Sequence, residues 1–356
     1  MVRDGIININ KPQKMTSHDV VGKLRRILGM KKIGHTGTLD PMATGVLPVC
    51  LGSATRITEY LDLDFKKYRC TMVLGKNTDT QDIWGEVIEE FDTSGVTEEA
   101  IRKAFEPFHG EIDQKPPMYS AVRVEGRRLY EYARAGQEVD VKSRKIFIRS
   151  LQIESIDMDA LEVVYTVECS KGTYIRTICQ DVGIALGTGA VMTGLVRLGS
   201  GNFVLENTVT LEELQNMKDA ALKEAKLAAG LPEDAEDSLV ELPDGWFDAV
   251  LLPQDYPLIH FGKAVVGPEL GRKFVDGWHI ALKDCRIEAR PEYEKKEPEM
   301  PIREEYRRAW NLYQEIENED GETVLEFLGV AFYNFKYKKL VADKVFYRGP
   351  GYDSDK

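Results

Sequence analysis

Asp40 stands at the centre of the run KKIGHTGTLDPMATGVLPVCLG (31–52), and a lone carboxylate in such a setting can serve as a nucleophile. Pro41 has no N–H and biases Asp40 away from the α region. Gly34, Gly37 and Gly45 let the backbone bend tightly and let a large planar ligand come close. His35, Thr36 and Thr38 lie within five residues of the carboxylate, and Val46, Leu47, Val49, Cys50 and Leu51 form an apolar, strand-like run behind it. The same spacing also describes an Asx-Pro turn with ordinary turn glycines, so both readings stand at this point. Other chemistries leave no pattern. There is no G-x-x-x-x-G-K-[ST] phosphate loop, no H-E-x-x-H or Cys/His metal cluster and no G-x-S-x-G elbow. A phosphatase with a carboxylate nucleophile would carry a second acid two residues on, where this chain has Met42.

The elements that must position this loop can be read from periodicity. Gly5–Asn10 reads as a short strand ending at Lys11-Pro12, followed by a helix capped at Thr16 or Ser17, with Val20, Val21, Leu24, Ile27 and Leu28 as its apolar stripe and Gly29 as its stop. Lys67–Leu74 alternates as a strand with Tyr68, Cys70, Met72 and Leu74 on one face. A turn at Trp84-Gly85 leads into a strand over Glu86–Phe91, and Thr97–Phe105 is a capped helix. Lys115-Pro116-Pro117 is extended, Gly126–Ala135 contains a helix, Lys145–Ile156 and Leu161–Ser170 pair as strands, and a helix runs from near Tyr174 to Leu186 with GTGA as a loop after it. Mixed strands and helices in this order indicate an α+β domain. Beyond Asn207 the pattern changes: Thr210–Ala229 is an acidic helical stretch, 230–245 a solvated linker or insertion, Val250–Lys283 a short helix with small strands, Arg290–Arg303 a loop and Glu322–Phe346 alternating strands.

Composition bounds the partners. A chain of 356 residues with 43% hydrophobic content can build two domains, and no window is apolar enough to span a membrane. The N-terminus lacks a secretory pattern, and five scattered cysteines fit reduced thiols, so a cytoplasmic protein is expected. The net charge of −12 resides in residues 201–356, which hold 20 basic and 32 acidic side chains, whereas residues 1–200 hold 27 of each. Two basic clusters lie in that neutral part: Lys11, Lys14, Lys23, Arg25, Arg26, Lys31 and Lys32, and then Lys115, Arg123, Arg127, Arg128, Arg134, Lys142, Arg144, Lys145 and Arg149. They suit phosphate contacts, or they are solvated faces.

GHTGTLDPMATGVLPV resembles the nucleophile motif of the TruB family of tRNA pseudouridine synthases, in the form typical of its bacterial members. The resemblance continues through GIININKPQKMTSHDVV (5–21), KKYRCTMVLGKNTDTQDIWGEV (66–87), QKPPMYSAVRVEGRRLYEYARAG (114–136), ECSKGTYIRTICQDVGIALGTGA (168–190) and LVRLGSGNF (195–203), which together span most of residues 5–210. It implies a pseudouridine synthase catalytic domain with a mixed sheet over 1–210, an acidic helical linker or insertion over 211–249, and a small β-rich PUA-like domain over 250–350, where LLPQDYPL resembles the start of such modules.

The resemblance also implies the chemistry. The C1′–N1 bond of a uridine breaks, the base turns and C1′ joins C5, with neither metal nor organic cofactor. The enzyme must extrude the nucleotide from its fold and hold the base in a planar slot. Asp40 is then the nucleophile; attack at C1′, attack at C6 and an initial proton abstraction at C2′ all use this same carboxylate. An Asp beside an apolar slot would have its pKa raised, and Arg176 in GTYIRT matches the family's active-site arginine, able to hold Asp40 ionised by a bidentate contact. Tyr68 matches the tyrosine that stacks on the base and helps to move a proton, Tyr174 a second aromatic wall and Leu195 an apolar pocket residue. His35 matches a side chain that fills the gap left by the extruded base, and Asp82 a polar position near the site. Lys11 and Pro12 shape the floor, with Gln114, Pro117, Tyr119 and Ser120 supporting Asp40 from behind. Arg123 departs from the lysine common in relatives, a change that a phosphate contact survives. The implied function is isomerisation of uridine 55 in the tRNA T loop by a stand-alone monomer without an obligatory protein partner. The alternatives are a guide-RNA-dependent relative and a non-catalytic tRNA-binding or folding factor. MATGVLPV and the lack of basic tails speak against the first, and the full set Asp40, Tyr68, Tyr174 and Arg176 against the second.

Overall fold

A computed structural model describes residues 4–63, 65–137, 139–294, 302–318 and 321–347. Its centre is a mixed sheet whose strands run, in spatial order, Leu251–Leu252, Gly5–Lys11, Thr44–Leu51, Ala190–Ser200, Lys66–Leu74, Glu162–Cys169, Arg144–Asp157 and Gly110–Gln114, with Ile33–His35 and Phe203–Val204 as side branches. Every pairing is antiparallel except one. Thr44–Leu51 and Ala190–Ser200 run parallel, with Val196 opposite Thr44 and Arg197 opposite Gly45. The α+β expectation with a mixed sheet is met, and the Asp40 loop enters the sheet at its one parallel seam.

The elements follow their local chemistry. The Ser17–Leu28 helix is capped by Thr16 in a reciprocal box with Asp19, and Gly29 ends it in the left-handed conformation. Tyr68, Cys70, Met72 and Leu74 point into one core, shared with Leu39, Ala43, Leu195 and the Ile175–Leu186 helix. A second core on the other side of the first strands takes Val20, Leu24 and Ile27, and also Leu211 and Leu214 from the Leu211–Ala228 helix. The acidic segment expected as a linker therefore packs one face of its helix against the first strands. Leu251 and Leu252, counted with the C-terminal segment in the sequence, pair with Ile7 and Ile6 at the edge of the first sheet.

One strand was not legible as a strand. MTGLVRLGSG carries Gly194, Gly199 and a charged Arg197, all of which weaken a strand pattern. It is nevertheless the most central strand, Ala190–Ser200, bulged near both glycines. Of the three loop glycines, only Gly45 has a positive φ, at +100°, and a Cβ there would collide with the Arg197 carbonyl oxygen. Gly45→Ala is expected to lower stability by about 2 kcal/mol or more, read by urea unfolding.

The C-terminal part forms its own six-stranded sheet, ordered Ile280–Ala281, Lys339–Val345, Thr323–Asn334, Ala309–Glu317, Gly262–Val266 and Arg286–Ala289. It docks on the Gly52–Leu63 turns of the first unit through Ile57, Tyr60 and Leu61, which pack with Phe261, Tyr306 and Phe346. Polar contacts reinforce this seam: Tyr306 donates to the Glu59 carbonyl at 2.7 Å, Arg56 to the Val345 carbonyl at 2.6 Å, and the Tyr60 hydroxyl to Asp343. Part of the loop expected over Arg290–Arg303 lies outside the described residues.

Candidate active site

The Asp40 loop is fixed from below. Ser17, the first residue of its helix, accepts the Leu39 N–H at 2.9 Å, and the Asp40 carbonyl accepts the Ala43 N–H at 3.1 Å across Pro41 and Met42. The run is a proline turn, and it leaves the Asp40 side chain 40% exposed. Lys11, wholly buried, donates to the carbonyls of Pro12 (2.9 Å), Met15 (2.6 Å) and Pro41 (3.1 Å). Its ammonium forms the floor of the loop and is not a phosphate contact, as its place in the first basic cluster had suggested.

Arg176 reaches Asp40 from the other half of the sheet. Its Nε lies 3.0 Å from Asp40 Oδ2, and its side chain is only 6% exposed. The contact runs through Nε and one carboxylate oxygen, unlike the bidentate clamp expected. Nη1 donates to the Thr80 carbonyl at 2.8 Å and lies 3.7 Å from Asp82 Oδ2, while Nη2 donates to the Tyr119 carbonyl at 3.0 Å. Asp82 in turn accepts from the Thr80 hydroxyl at 2.7 Å, and its hairpin is stitched to the central strand by Ile83 N–H to Met192 O at 2.8 Å. One guanidinium therefore gathers the Asp40 loop, the Lys76–Glu90 hairpin and the Tyr119 segment.

Buried apolar residues flank both members of this pair in sequence, Leu39 beside Asp40 and Ile175 beside Arg176. Tyr68 and Leu195 are buried in the cluster that includes Leu39 and Ala43, on either side of Asp40 in sequence. Burial raises the Tyr68 hydroxyl above its ordinary range, against a lowering influence from Arg197. Tyr174 caps the helix that carries Arg176, half-buried and held by Gln114 in both directions, with Gln114 Oε1 accepting its N–H at 2.8 Å and Gln114 Nε2 donating to its carbonyl at 3.0 Å. Gln114 thus supports Tyr174, and Tyr119 supports Arg176; their help to Asp40 is indirect. His35 pairs with Val49 on the Ile33–His35 branch, and burial, then the charges of Arg197 and His18, push its pKa down, so it is neutral at pH 7.

Known proteins resemble this chain in sequence and in fold. A family model described as TruB family pseudouridylate synthase (N terminal domain) matches residues 25–175, and one described as tRNA pseudouridylate synthase B C-terminal domain matches 176–258. The protein named tRNA pseudouridine synthase B from Alkaliphilus oremlandii is 44% identical over 277 residues, which cover 78% of this chain and 83% of that protein. The chain belongs to the TruB family of pseudouridylate synthases. A TruB relative of the same name from Symbiobacterium thermophilum is 50% identical over 230 residues, 64% of this chain and 77% of that protein. A chain from the crystal structure of a Cbf5-Nop10-Gar1 complex shares the fold, with a TM-score of 0.64 at 25% identity, covering 96% of this chain and 85% of that one.

Within this TruB-family site the sequence reading missed Arg197. It is 1% exposed, the largest fully buried side chain among the described residues, and sits opposite Tyr68 in the central pairing. Its Nε donates to Val46 O at 2.5 Å and its Nη2 to Gly37 O at 3.4 Å. The one available signal was a charged residue amid the apolar run GLVRLG. The second basic cluster divides in two. Lys145 pairs with Glu111 and Arg149 with Glu168, whereas Arg123, Arg127, Arg128 and Arg134 are exposed on the hairpin and helix that follow Tyr119.

Proposed function

We propose that this chain isomerises uridine to pseudouridine in the T loop of tRNA, at position 55, with Asp40 as nucleophile. The observation that carries the reading is the Asp40–Arg176 pair, set where a half-exposed carboxylate meets a buried apolar wall. Arg176 is nearly desolvated while the Asp40 carboxylate is 40% exposed, so water reaches the pair from the carboxylate side only. The base, once extruded, stacks on Tyr68 with Leu195 beneath and Tyr174 opposite, a sequence-tolerant mode worth roughly 1–3 kcal/mol per base. The C1′–N1 bond breaks, C1′ bonds to C5, the C5 proton passes to solvent through the site, and N1 takes up a proton. Asp82 steadies Arg176, Lys11 steadies the loop, and His35, neutral, fills the space that the base vacates. The exposed arginines beyond Tyr119 continue the site outward, which suits the phosphates of a folded stem read by shape.

The reading includes a stand-alone monomer working in the cytoplasm without metal or organic cofactor, with the C-terminal sheet as a PUA-like module. Among the described residues no helix is long and apolar enough to cross a membrane. The test is tritium release from 5-tritiated uridine in an unmodified T-arm stem-loop. Release by the protein alone supports the reading. No release with tight binding retained points instead to a guide-dependent enzyme or a binding factor.

A pH dependence accompanies the reading. Burial lowers the Lys11 pKa from its ordinary 10.5 to about 8, against the pull of Asp40. The folded value lies below the unfolded one, so the charged amine costs stability below about pH 8, and that cost is relieved as pH rises from about 8 to 10.5. The anchor behaves oppositely, because an ammonium has a proton for each of three carbonyls and a neutral amine does not. Turnover is therefore expected to fall as pH passes about 8 without a parallel loss of stability from this group. Rate profiles beside thermal melts check this, and Lys11→Met is expected to remove that limb.

A further inference from the structure

Gln81 holds a strained backbone beside the site. Its φ is +64°, in the left-handed region where glycine or asparagine would sit more easily. What this position gains from a glutamine lies in the side chain. Its Oε1 accepts the Thr177 hydroxyl at 3.0 Å, and its Nε2 donates to Gln180 Oε1. Both partners stand on the Ile175–Leu186 helix, Thr177 directly after Arg176 and Gln180 one turn beyond it. Thr177 is buried, so water does not readily replace the bond. The main chain of Gln81 is fixed as well: its carbonyl accepts the Met192 N–H at 3.1 Å, and its N–H donates to the Thr78 carbonyl at 3.2 Å. Its two neighbours are the hairpin residues that meet Arg176. The Thr80 carbonyl accepts from Nη1 at 2.8 Å, and Asp82 Oδ2 lies 3.7 Å from the same nitrogen. Three consecutive hairpin residues thus engage one turn of helix, the outer two through Arg176 and the middle one through Thr177 and Gln180.

We propose that Gln81 is a positioning residue for the reaction: by clasping the helix at Thr177 and Gln180, it holds the Thr80 carbonyl and the Asp82 carboxylate in place beside Arg176, and so sets the direction in which Arg176 Nε faces Asp40. This rests on the reading that Asp40 is the nucleophile. A guanidinium is planar and turns as a unit. Its Nη1 is aimed by the Thr80 carbonyl and its Nη2 by the Tyr119 carbonyl, which leaves Nε 3.0 Å from Asp40 Oδ2. If the Thr80 carbonyl slides, the plane tilts and Nε leaves the carboxylate. The hairpin needs a clasp because it is a two-stranded ribbon, marginal by itself, and Val87 and Ile88 on its second strand are exposed. The backbone bonds to Met192 seat it on the central strand. The Gln81 side chain adds a tie to the helix that does not depend on Arg176. Gln81 acts on Asp40 through Arg176 alone.

The test is a double-mutant cycle on the full chain, with the 5-tritiated T-arm stem-loop as substrate. Gln81→Gly removes the clasp and relieves the left-handed backbone, so its melting temperature is expected to stay close to that of wild type. Its kcat is expected to fall about 30-fold, with KM changed by no more than about threefold, somewhat less than the roughly 100-fold that a 1 Å misplacement carries. In an Arg176→Lys background the clasp has no guanidinium to aim. Gln81→Gly is expected to cost no more than about a further threefold there, whereas independent effects would multiply. A merely structural glutamine would lower the melting temperature and leave kcat alone, or give multiplying losses in the cycle, and either result overturns the proposal. So does a change confined to KM, or wild-type kcat in Gln81→Gly. Should Gln81→Gly fail to fold, Thr177→Val decides: it breaks the clasp from the helix side, a fall in kcat is expected, and wild-type kcat overturns the proposal. Wild-type protein that releases no tritium would instead refute the function reading; release by wild type and by Gln81→Gly alike refutes the positioning role only.

Discussion

Asp40→Asn is expected to bind the T-arm stem-loop as wild type does and to release no tritium from it. The substitution is isosteric, and the side chain is 40% exposed, so an amide fits without repacking. The turn beneath it relies on the Asp40 backbone carbonyl and on Ser17, Lys11 and Pro41, none of which is altered. Affinity depends on phosphate contacts elsewhere and is expected to change by no more than about threefold, if anything upward as a negative charge is lost. Turnover is different, because an amide is a very poor nucleophile and a nucleophile's removal costs on the order of 10⁴-fold or more. Filter binding beside tritium release separates the two quantities. Wild-type turnover in this variant would require a different nucleophile.

Arg176→Ala is expected to lose activity and stability together. The residue joins three segments through four groups: Asp40, Asp82 and the carbonyls of Thr80 and Tyr119. Both carbonyls would be left without this donor, at about 1–3 kcal/mol each where water cannot replace it, so a loss of about 2–4 kcal/mol in urea unfolding is expected. Turnover should fall about 10²-fold or more, as Asp40 loses both its cation and its fixed position. Arg176→Lys separates charge from geometry. A point charge at the end of a flexible stem can face Asp40 but cannot also hold both carbonyls. It is expected to recover much of the stability and little of the turnover. Full turnover in the lysine variant would mean that only the charge at this position matters.

How much of this was legible in the sequence follows from what each residue must satisfy locally. The Thr16 cap, the Gly29 stop and the alternation of Tyr68, Cys70, Met72 and Leu74 are short-range patterns, and the structure has all of them. Ala190–Ser200 escaped because its place at the centre of the sheet, between a parallel and an antiparallel neighbour, is a tertiary fact that overrides two glycines and an arginine. Ala309–Glu317 was not marked as a strand for a related reason. Buried on both faces over most of its length, it shows no alternation. Physical spacing pointed to Asp40 alone; its partners came by resemblance, since nothing local in GTYIRT says which carboxylate its arginine will meet. Arg197 was passed over because buried arginines are rare, and its acceptors are backbone atoms that carry no sequence signature.

The parallel seam has a consequence in time. Arg197 meets Val46 across 151 residues of chain and Gly37 across 160. At ribosomal speeds of about 5–20 residues per second, the Asp40 turn emerges roughly 8–30 s before the strand that must seat it. Until then the turn has the neighbours Gly5–Lys11 and Ser17 can give it, and one side of its strand is bare. No nascent chain shorter than that can hold a finished slot. The seam closes around the Asp40 turn only once Arg197, just past the middle of the 356-residue chain, has been made.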